Sequence, residues 1–341
     1  MVAVFDDGRV TLERLELADR SPGEVDVAIS AAAVCGSDLH TVLGHRSTPP
    51  RTALGHEGVG RVIDADSGAV DFRGASLSPG DRVVFAIYSA CGSCDRCASG
   101  LPMKCRNLFK YGHESVTRPP HASGTLATRV RLLPGVPVLR IPDDLTDNRV
   151  VSAGCAVATA AAIVRAAGSP TEKDVLVFGA GGVGTYCAAM LASMGNRVAV
   201  VDPAEQRLAF AEQMGARSRK GDEGPFPIVI EASGSAAAFE NALEAADIGG
   251  RVVAAGSVSP GSTTVTFDPA LVVTRRLTLI GIHNYAGEDL VWSVDWMEKH
   301  AARLGLERLV SAPLPLSQIG VAFDMMREGG HPRVLVVPEG E

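Results

Sequence analysis

Aromatic side chains are scarce, 5% of the 341 residues, with two tryptophans and four tyrosines. So small a supply leaves little material for a platform that stacks bases. An excess of positive charge is missing too: 32 Lys+Arg face 39 Asp+Glu, for a net charge of −7. Binding to nucleic acid or to an anionic membrane surface is therefore not expected. The opening residues, Met1-Val2-Ala3-Val4-Phe5-Asp6-Asp7, lack the basic and then apolar order of a secretory signal, so a cytoplasmic protein is expected. Long uncharged runs are few. Residues 175–196 would suffice in length to cross a bilayer, but five glycines interrupt them, and they read as strand, glycine turn and helix. Residues 150–164 read as too short for a span. An even cysteine count is also lacking. Seven cysteines in a long chain without a secretion signal argue against a disulfide framework.

Hydrophobic residues make up 46% of the chain, enough for a substantial interior, and the length exceeds what one core usually holds. Two domains are expected. The first half reads as short strands and turns: β-rich segments at 25–29, 59–63 and 82–85, a turn at 78–81, and an irregular loop over 106–123. The pattern changes near residue 150. Asp147 or Asn148 is placed to cap an alanine-rich helix running through Val164 and ending around Gly168. Strands at 175–178, 197–201, 228–231, 251–255 and 277–280 then alternate with helices at 183–194, 204–214 and 236–247. That alternation predicts βαβ units on a parallel sheet. The tail predicts helices around 288–303 and 317–328 and a strand over 333–337.

Cysteine supplies the first chemical signal. Cys91, Cys94, Cys97 and Cys105 follow C-x2-C-x2-C-x7-C, four of the seven cysteines within fifteen residues. Four thiolates so close together can close a tetrahedron around Zn²⁺, and a site with no open position is structural. A redox dithiol, unrelated surface thiols or an iron–sulfur cluster are the alternatives. A second set is dispersed: Cys35-Gly-Ser-Asp-Leu-His40, then Gly55-His56-Glu57, then Gly154-Cys155. Two thiolates and one imidazole would leave a fourth zinc position open, which catalysis requires. Cys187, in an apolar helical stretch, reads as a small buried hydrophobe.

The third signal is Gly179-Ala-Gly181-Gly182-Val183-Gly184, a G-x-G-x-x-G directly after an apolar strand and opening a helix. Glycines there permit the turn, the approach of a pyrophosphate to backbone N–H groups and close helix–strand packing. A second strand ends in Asp202, about 20 residues on, where a carboxylate bonds ribose hydroxyls and repels a 2′-phosphate. NAD(H) is expected over NADP(H), with Arg207 nearby as the one opposing charge.

In this order the elements resemble the zinc-dependent medium-chain alcohol dehydrogenases over essentially the whole chain. The resemblance rests on the Cys35–His40 motif, Leu54-Gly-His-Glu-Gly58, the four-cysteine lobe, Gly154-Cys155 with Thr159, and the glycine turn. It implies an α/β fold: a GroES-like β-rich zinc-binding catalytic domain over 1–150, a Rossmann doubly wound parallel-sheet domain over 151–287, and a segment 288–341 returning to the catalytic domain. It implies two Zn²⁺ per chain, Cys35, His56 and Cys155 holding the catalytic ion and the lobe holding a structural one. Ser37 would take the alcohol proton and His40 relay it to solvent. Asp38 would support a ligand, Glu57 lie near the metal, Thr159 flank the nicotinamide and Arg207 line the adenosine ribose. A homodimer or homotetramer is implied, paired through the edge of the cofactor-domain sheet.

Within the family, Lys110-Tyr-Gly-His-Glu114, Ala255-Gly-Ser-Val258 and Gly281-Ile-His-Asn-Tyr285 resemble the branch associated with phosphonate metabolism. An anionic substrate would need cations, and Arg46, Lys110, His113, Arg118 and His283 are the candidates. Two departures stand out. Polyol and threonine dehydrogenases often carry Glu-Pro where this chain has Gly154-Cys155, and the segment 217–227 is too short for the helix relatives place there. The expected reaction interconverts an alcohol with an aldehyde or ketone. A polyol or amino-alcohol dehydrogenase is the alternative within the class. A non-catalytic nucleotide-binding protein and a zinc–thiolate redox sensor are the alternatives outside it.

Overall fold

A computed structural model describes all residues except 18, 122, 222, 259, 260, 262, 340 and 341. The chain divides into one unit of residues 1–155 with 286–341 and a second of residues 156–285.

In the first unit, the longest strand is the ten-residue, alanine- and valine-rich Val25–Val34, buried at eight of its positions. Small β-compatible side chains let neighbours pack closely against it. It pairs antiparallel with Glu57–Ala65 on one side and, on the other, with Val334–Val337 at its C-terminal half and Arg129–Leu132 at its N-terminal half. Arg82–Phe85 and Val138–Arg140 extend one flank, and Leu314–Pro315 the other. A three-stranded sheet of Arg9–Glu13, Val2–Asp6 and Thr52–Ala53 completes the β-structure, apart from a short pair described below. The core includes Val27, Val34, Leu54, Phe85, Leu126, Val130, Leu316, Phe323 and Val336.

Register is what assembles the chemistry. Ala33 faces Glu57, and Val34 faces Val334. Cys35, His56 and Arg333, each one residue beyond a paired position, are therefore delivered to one end of the sheet from three distant parts of the chain.

The second unit is a six-stranded, wholly parallel sheet. Its order is Arg217–Ser218, Arg197–Val201, Asp174–Phe178, Phe226–Glu231, Ala246–Ala254, Thr278–Gly281. Numbered along the chain this is 3-2-1-4-5-6, so the order reverses between Asp174–Phe178 and Phe226–Glu231, where doubly wound sheets bind ligands. Gly182–Ser193, Glu205–Gln213 and Ala236–Ala245 supply crossover helices.

Several boundaries differ from the sequence reading. The helix expected from residue 147 or 148 is broken into an α-turn, Asp147–Val150, a π-turn, Ala153–Val157, and an α-helix, Ala158–Ala166. Its N-cap is Thr146, whose hydroxyl is engaged by Asn148 rather than by the helix backbone. The stretch Asp147–Ala166 is also longer than 150–164. By length and composition it could cross a membrane, but its most apolar part is mostly buried in protein. The strand expected at 228 begins at Phe226, and that expected at 251 begins at Ala246, because the helix before it ends early. Inside the expected loop 106–123, Phe109–Lys110 pairs with Tyr88–Ser89. The short helix Gly36–Val42 has no apolar period to announce it. No helix lies between Ser218 and Phe226 among the described residues, and Asp222 of that segment is outside them.

Candidate metal centre and dinucleotide loop

Cys35 ends the strand Val25–Val34 and caps the helix Gly36–Val42. Its thiol accepts from the Ser37 N–H, and its own N–H donates to Asp38 Oδ2 at 3.0 Å. The other Asp38 oxygen accepts from Gly55 N at 3.2 Å and lies 3.3 Å from His56 Nδ1. One buried carboxylate thus fixes the capping turn and orients the imidazole, whose Nε2 faces Cys35 Sγ at 3.1 Å. Ser37 Oγ sits 3.0 Å from both of these atoms. Cys155, on the π-turn, hydrogen-bonds the Cys35 thiol.

The buried groups of the site set one another's charge. The Cys155 hydrogen bond, and after it His56, hold the Cys35 thiol well below its ordinary value, while the same bond and burial push Cys155 well above. Burial pushes His56 down, but Cys35 and Asp38 outweigh it and raise the imidazole well above its usual range. Cys35, His56 and Glu57 place ligand atoms within 4.8 Å of one another. Tetrahedral zinc would set sulfur and nitrogen about 3.5 Å apart. The Cys35–His56 pair fits that ion after an expansion of tenths of an ångström; Cys155, expected as the third ligand, stands outside that cluster, where Glu57 takes its place, and is joined to it through its hydrogen bond to Cys35.

Behind the ligands lies a residue the motifs did not single out. Arg333 donates its Nε–H to both oxygens of the fully buried Glu57, at 2.8 and 2.9 Å. Burial pushes the guanidinium down, and Glu57 and the Cys35 thiolate more than reverse this. The available signal was an arginine opening the otherwise apolar strand Val334–Val337.

The candidate anion ligands divide. Arg46 Nη1 lies 3.3 Å from His113 Nε2, and the His113 ring stacks on His56 with centroids 5.5 Å apart. Burial, then Lys110, His56 and Arg46, hold His113 well below its usual range. Burial and then Arg46 push Lys110 down to about 8, with Cys155 opposing. Among the described residues neither Arg46 nor Lys110 makes an ion pair with a carboxylate. Arg118, by contrast, is spent on Glu114 at 2.7 Å and on the Phe109 ring. His283 follows the edge strand Thr278–Gly281 of the second unit. His40 is exposed at the far end of its helix, beside His45.

The four-cysteine lobe is built on a one-turn helix, Asp95–Ala98, and the 3-10 turn Pro102–Lys104. Sulfur–sulfur distances of 3.4, 3.5 and 3.9 Å link Cys105 with Cys91, Cys94 with Cys97 and Cys94 with Cys105. A ZnS₄ tetrahedron has edges of about 3.8 Å. Backbone N–H groups of Ser93 and Cys94 lower the Cys91 thiol to about 6, whereas desolvation and its thiol neighbours raise Cys97 to about 12. All four fit a structural zinc.

In the second unit, Gly181 caps the helix Gly182–Ser193, with Val183 and Gly184 in its first turn. A Cβ on Gly184 would stand 1.8 Å from the Gly179 carbonyl oxygen, so no side chain is admissible there. Asp202 ties the loop down: one oxygen accepts from Ala180 N at 2.8 Å, the other from Ala204 N at 2.9 Å. Arg207 approaches the same carboxylate at 4.0 Å. Thr159 lies on the helix Ala158–Ala166. A second acid, Glu231, ends the strand Phe226–Glu231 and accepts from Ser233 and Gly234; sequence reasoning passed over it as the last residue of an apolar strand.

Two family models match: the alcohol dehydrogenase GroES-like domain over residues 21–143, and the zinc-binding dehydrogenase over 182–299. An L-threonine 3-dehydrogenase of Anaeromyxobacter sp. (strain Fw109-5) is 30% identical, the alignment covering 92% of this chain and 91% of that protein. An alcohol dehydrogenase of Geobacillus stearothermophilus is 28% identical, covering 93% of each. The crystal structure of an alcohol dehydrogenase from Thermotoga maritima superposes with a TM-score of 0.90 over 99% of both chains, at 26% identity. With its GroES-like and Rossmann-type folds, the chain belongs to the zinc-dependent medium-chain alcohol dehydrogenase family.

Proposed function

We propose that this protein is a zinc- and NAD(H)-dependent dehydrogenase that interconverts an alcohol carrying a compact anionic group, a small hydroxyalkyl-phosphonate, with its aldehyde or ketone. The observation that carries the reading is the approach of His56 Nε2 to Cys35 Sγ at 3.1 Å, with the Cys155 thiol hydrogen-bonded to Cys35 and the Ser37 hydroxyl 3.0 Å from both the sulfur and the ring nitrogen. Zinc held by Cys35, His56 and Cys155 supplies Lewis acidity, and a nicotinamide dinucleotide held at Gly179–Gly184 supplies the hydride acceptor. Ser37 is placed to take the alcohol proton, and His40, one helical turn along, to pass it outward. Asp38 keeps the His56 ring aimed, and Glu57 with Arg333 balances charge behind the ligands. Thr159 would flank the nicotinamide, and Asp202 with Arg207 would line the adenosine ribose, the carboxylate favouring NAD(H). Cys91, Cys94, Cys97 and Cys105 would hold the second zinc.

Arg46 and Lys110, cations without carboxylate partners, support an anionic substrate, with His113 as a neutral neighbour. A carboxylate would meet the same charges, so a hydroxy acid or amino-alcohol acid is the second reading. We place the enzyme in the cytoplasm, and we read it as a homodimer or homotetramer, a pairing supported by the edge strand Thr278–Gly281 and its Leu279, 41% exposed.

The test is metal analysis joined to a substrate panel. Two zinc ions per chain and reduced cofactor from NAD⁺ with hydroxyalkyl-phosphonates, at higher kcat/KM than with neutral alcohols or hydroxy acids, are expected. Equal turnover of neutral alcohols would remove the anion, and one zinc without turnover would leave a redox sensor or a binding protein.

A further inference from the structure

His40 does not stand alone at the end of its helix. After Gly36–Val42 the chain closes in a Schellman turn: Gly44 N–H donates to Thr41 O at 3.0 Å, and His45 N–H to His40 O at 2.9 Å. Gly44 takes φ +73°, the left-handed conformation this turn needs. The turn folds His45 back over His40, with ring centroids 5.5 Å apart and the two Nδ1 atoms at 3.2 Å. At that distance one Nδ1 must carry a proton and the other a lone pair, so the rings are held as opposite tautomers.

Resting on the dehydrogenase reading above, we infer that His45 is the outer half of a two-histidine proton path: a proton reaching His40 Nε2 displaces the Nδ1 proton of His40 to Nδ1 of His45, which releases its own Nε2 proton to water. One proton enters and one leaves. The pair ends with its tautomers exchanged, poised for the reverse passage during carbonyl reduction, and both rings are exposed, so exchange with water resets them. The charged groups facing His40 are His45, Arg46 and Cys35. Burial, then His45 and Arg46, push His40 down, and only Cys35 opposes. His40 therefore favours its neutral form and stays free to accept the next proton. His45 is a positioning residue in this scheme, since it acts through His40.

The experiment uses the full-length, zinc-loaded protein and His45→Ala. The variant is expected to lose about tenfold in kcat for alcohol oxidation. The acid limb of its pH profile should move to higher pH, because His40, relieved of the His45 charge, titrates closer to about 6.5. Added imidazole should restore its rate and leave the wild type unchanged, a response that a structural role for His45 would not produce. Nitrogen NMR of the wild type should find one ring protonated at Nδ1 and the other at Nε2. An active wild type with a variant of identical pH profile and no imidazole response overturns the inference, as do identical tautomers in the two rings. Should the wild type oxidise no alcohol, the dehydrogenase reading fails instead, and the NMR result still decides whether the pair exists.

Discussion

The two candidate metal sites of the first unit are built in opposite ways. The lobe draws four identical ligands from fifteen consecutive residues, and of these only Cys105 is buried. The other site draws a thiol, an imidazole and a second thiol from positions 35, 56 and 155, and surrounds them with Asp38, Glu57 and Arg333. A closed thiolate cage needs only a loop that turns tightly enough, because solvent and backbone N–H groups temper its charge. A site that must stay open to substrate yet exclude water needs walls, and its charges then need partners in those walls. Locality suits a structural ion, and long-range register suits a reactive one.

The sharpest way to break this contrast is His56→Ala. Losing an imidazole ligand should lower kcat by at least about 10³-fold, since the Lewis acidity is worth several kcal/mol. Zinc per chain should fall from two to one, and unchanged activity would remove the assignment. Next comes Arg333→Met, which leaves Glu57 buried and unpaired. Urea unfolding should register a loss of about 3–5 kcal/mol, much of it recovered by adding Glu57→Leu. A neutral effect would show that the wall carries no charge.

Lys110→Ala should raise KM for an anionic substrate about 10- to 100-fold while kcat for a neutral alcohol holds. The ammonium is charged below about 8 and neutral above, so wild-type KM for the anion should rise as pH climbs through that value. The variant should show no such rise. The smallest effect on turnover belongs to the lobe. Cys97→Ser should release one zinc and lower Tm by a few degrees, about 1–2 °C per kcal/mol for a chain of this size, leaving kcat of the folded enzyme unchanged. A collapse of kcat would mean that the lobe and the reactive site are not independent.

How much of this was legible follows from the distance over which each feature is encoded. The glycine loop was readable because strand, glycines, helix and acid all fall within about 25 residues. The lobe was readable from spacing alone. The helix Gly36–Val42 carries no apolar stripe, and its cap is an unusual cysteine, so pattern reasoning passed over it. The π-turn at Cys155 inserts one residue into a helical pattern that otherwise reads as continuous. Arg333 looked like one charge at the start of a strand. Nothing local reveals that it pairs with Glu57, which lies 276 residues away.

By itself the sequence determined the family, the parallel sheet with its dinucleotide turn, and the identity of the candidate ligands. Those features depend on residue type at short separation, where chain geometry leaves few arrangements. Only the tertiary structure decided that Lys110, His113 and Arg46 gather at His56 while Arg118 turns to Glu114. It also decided that His45 folds over His40 and that an arginine stands behind the acid. These are contacts made by strand register and turn closure, and a one-dimensional pattern does not encode which charges are left without a partner.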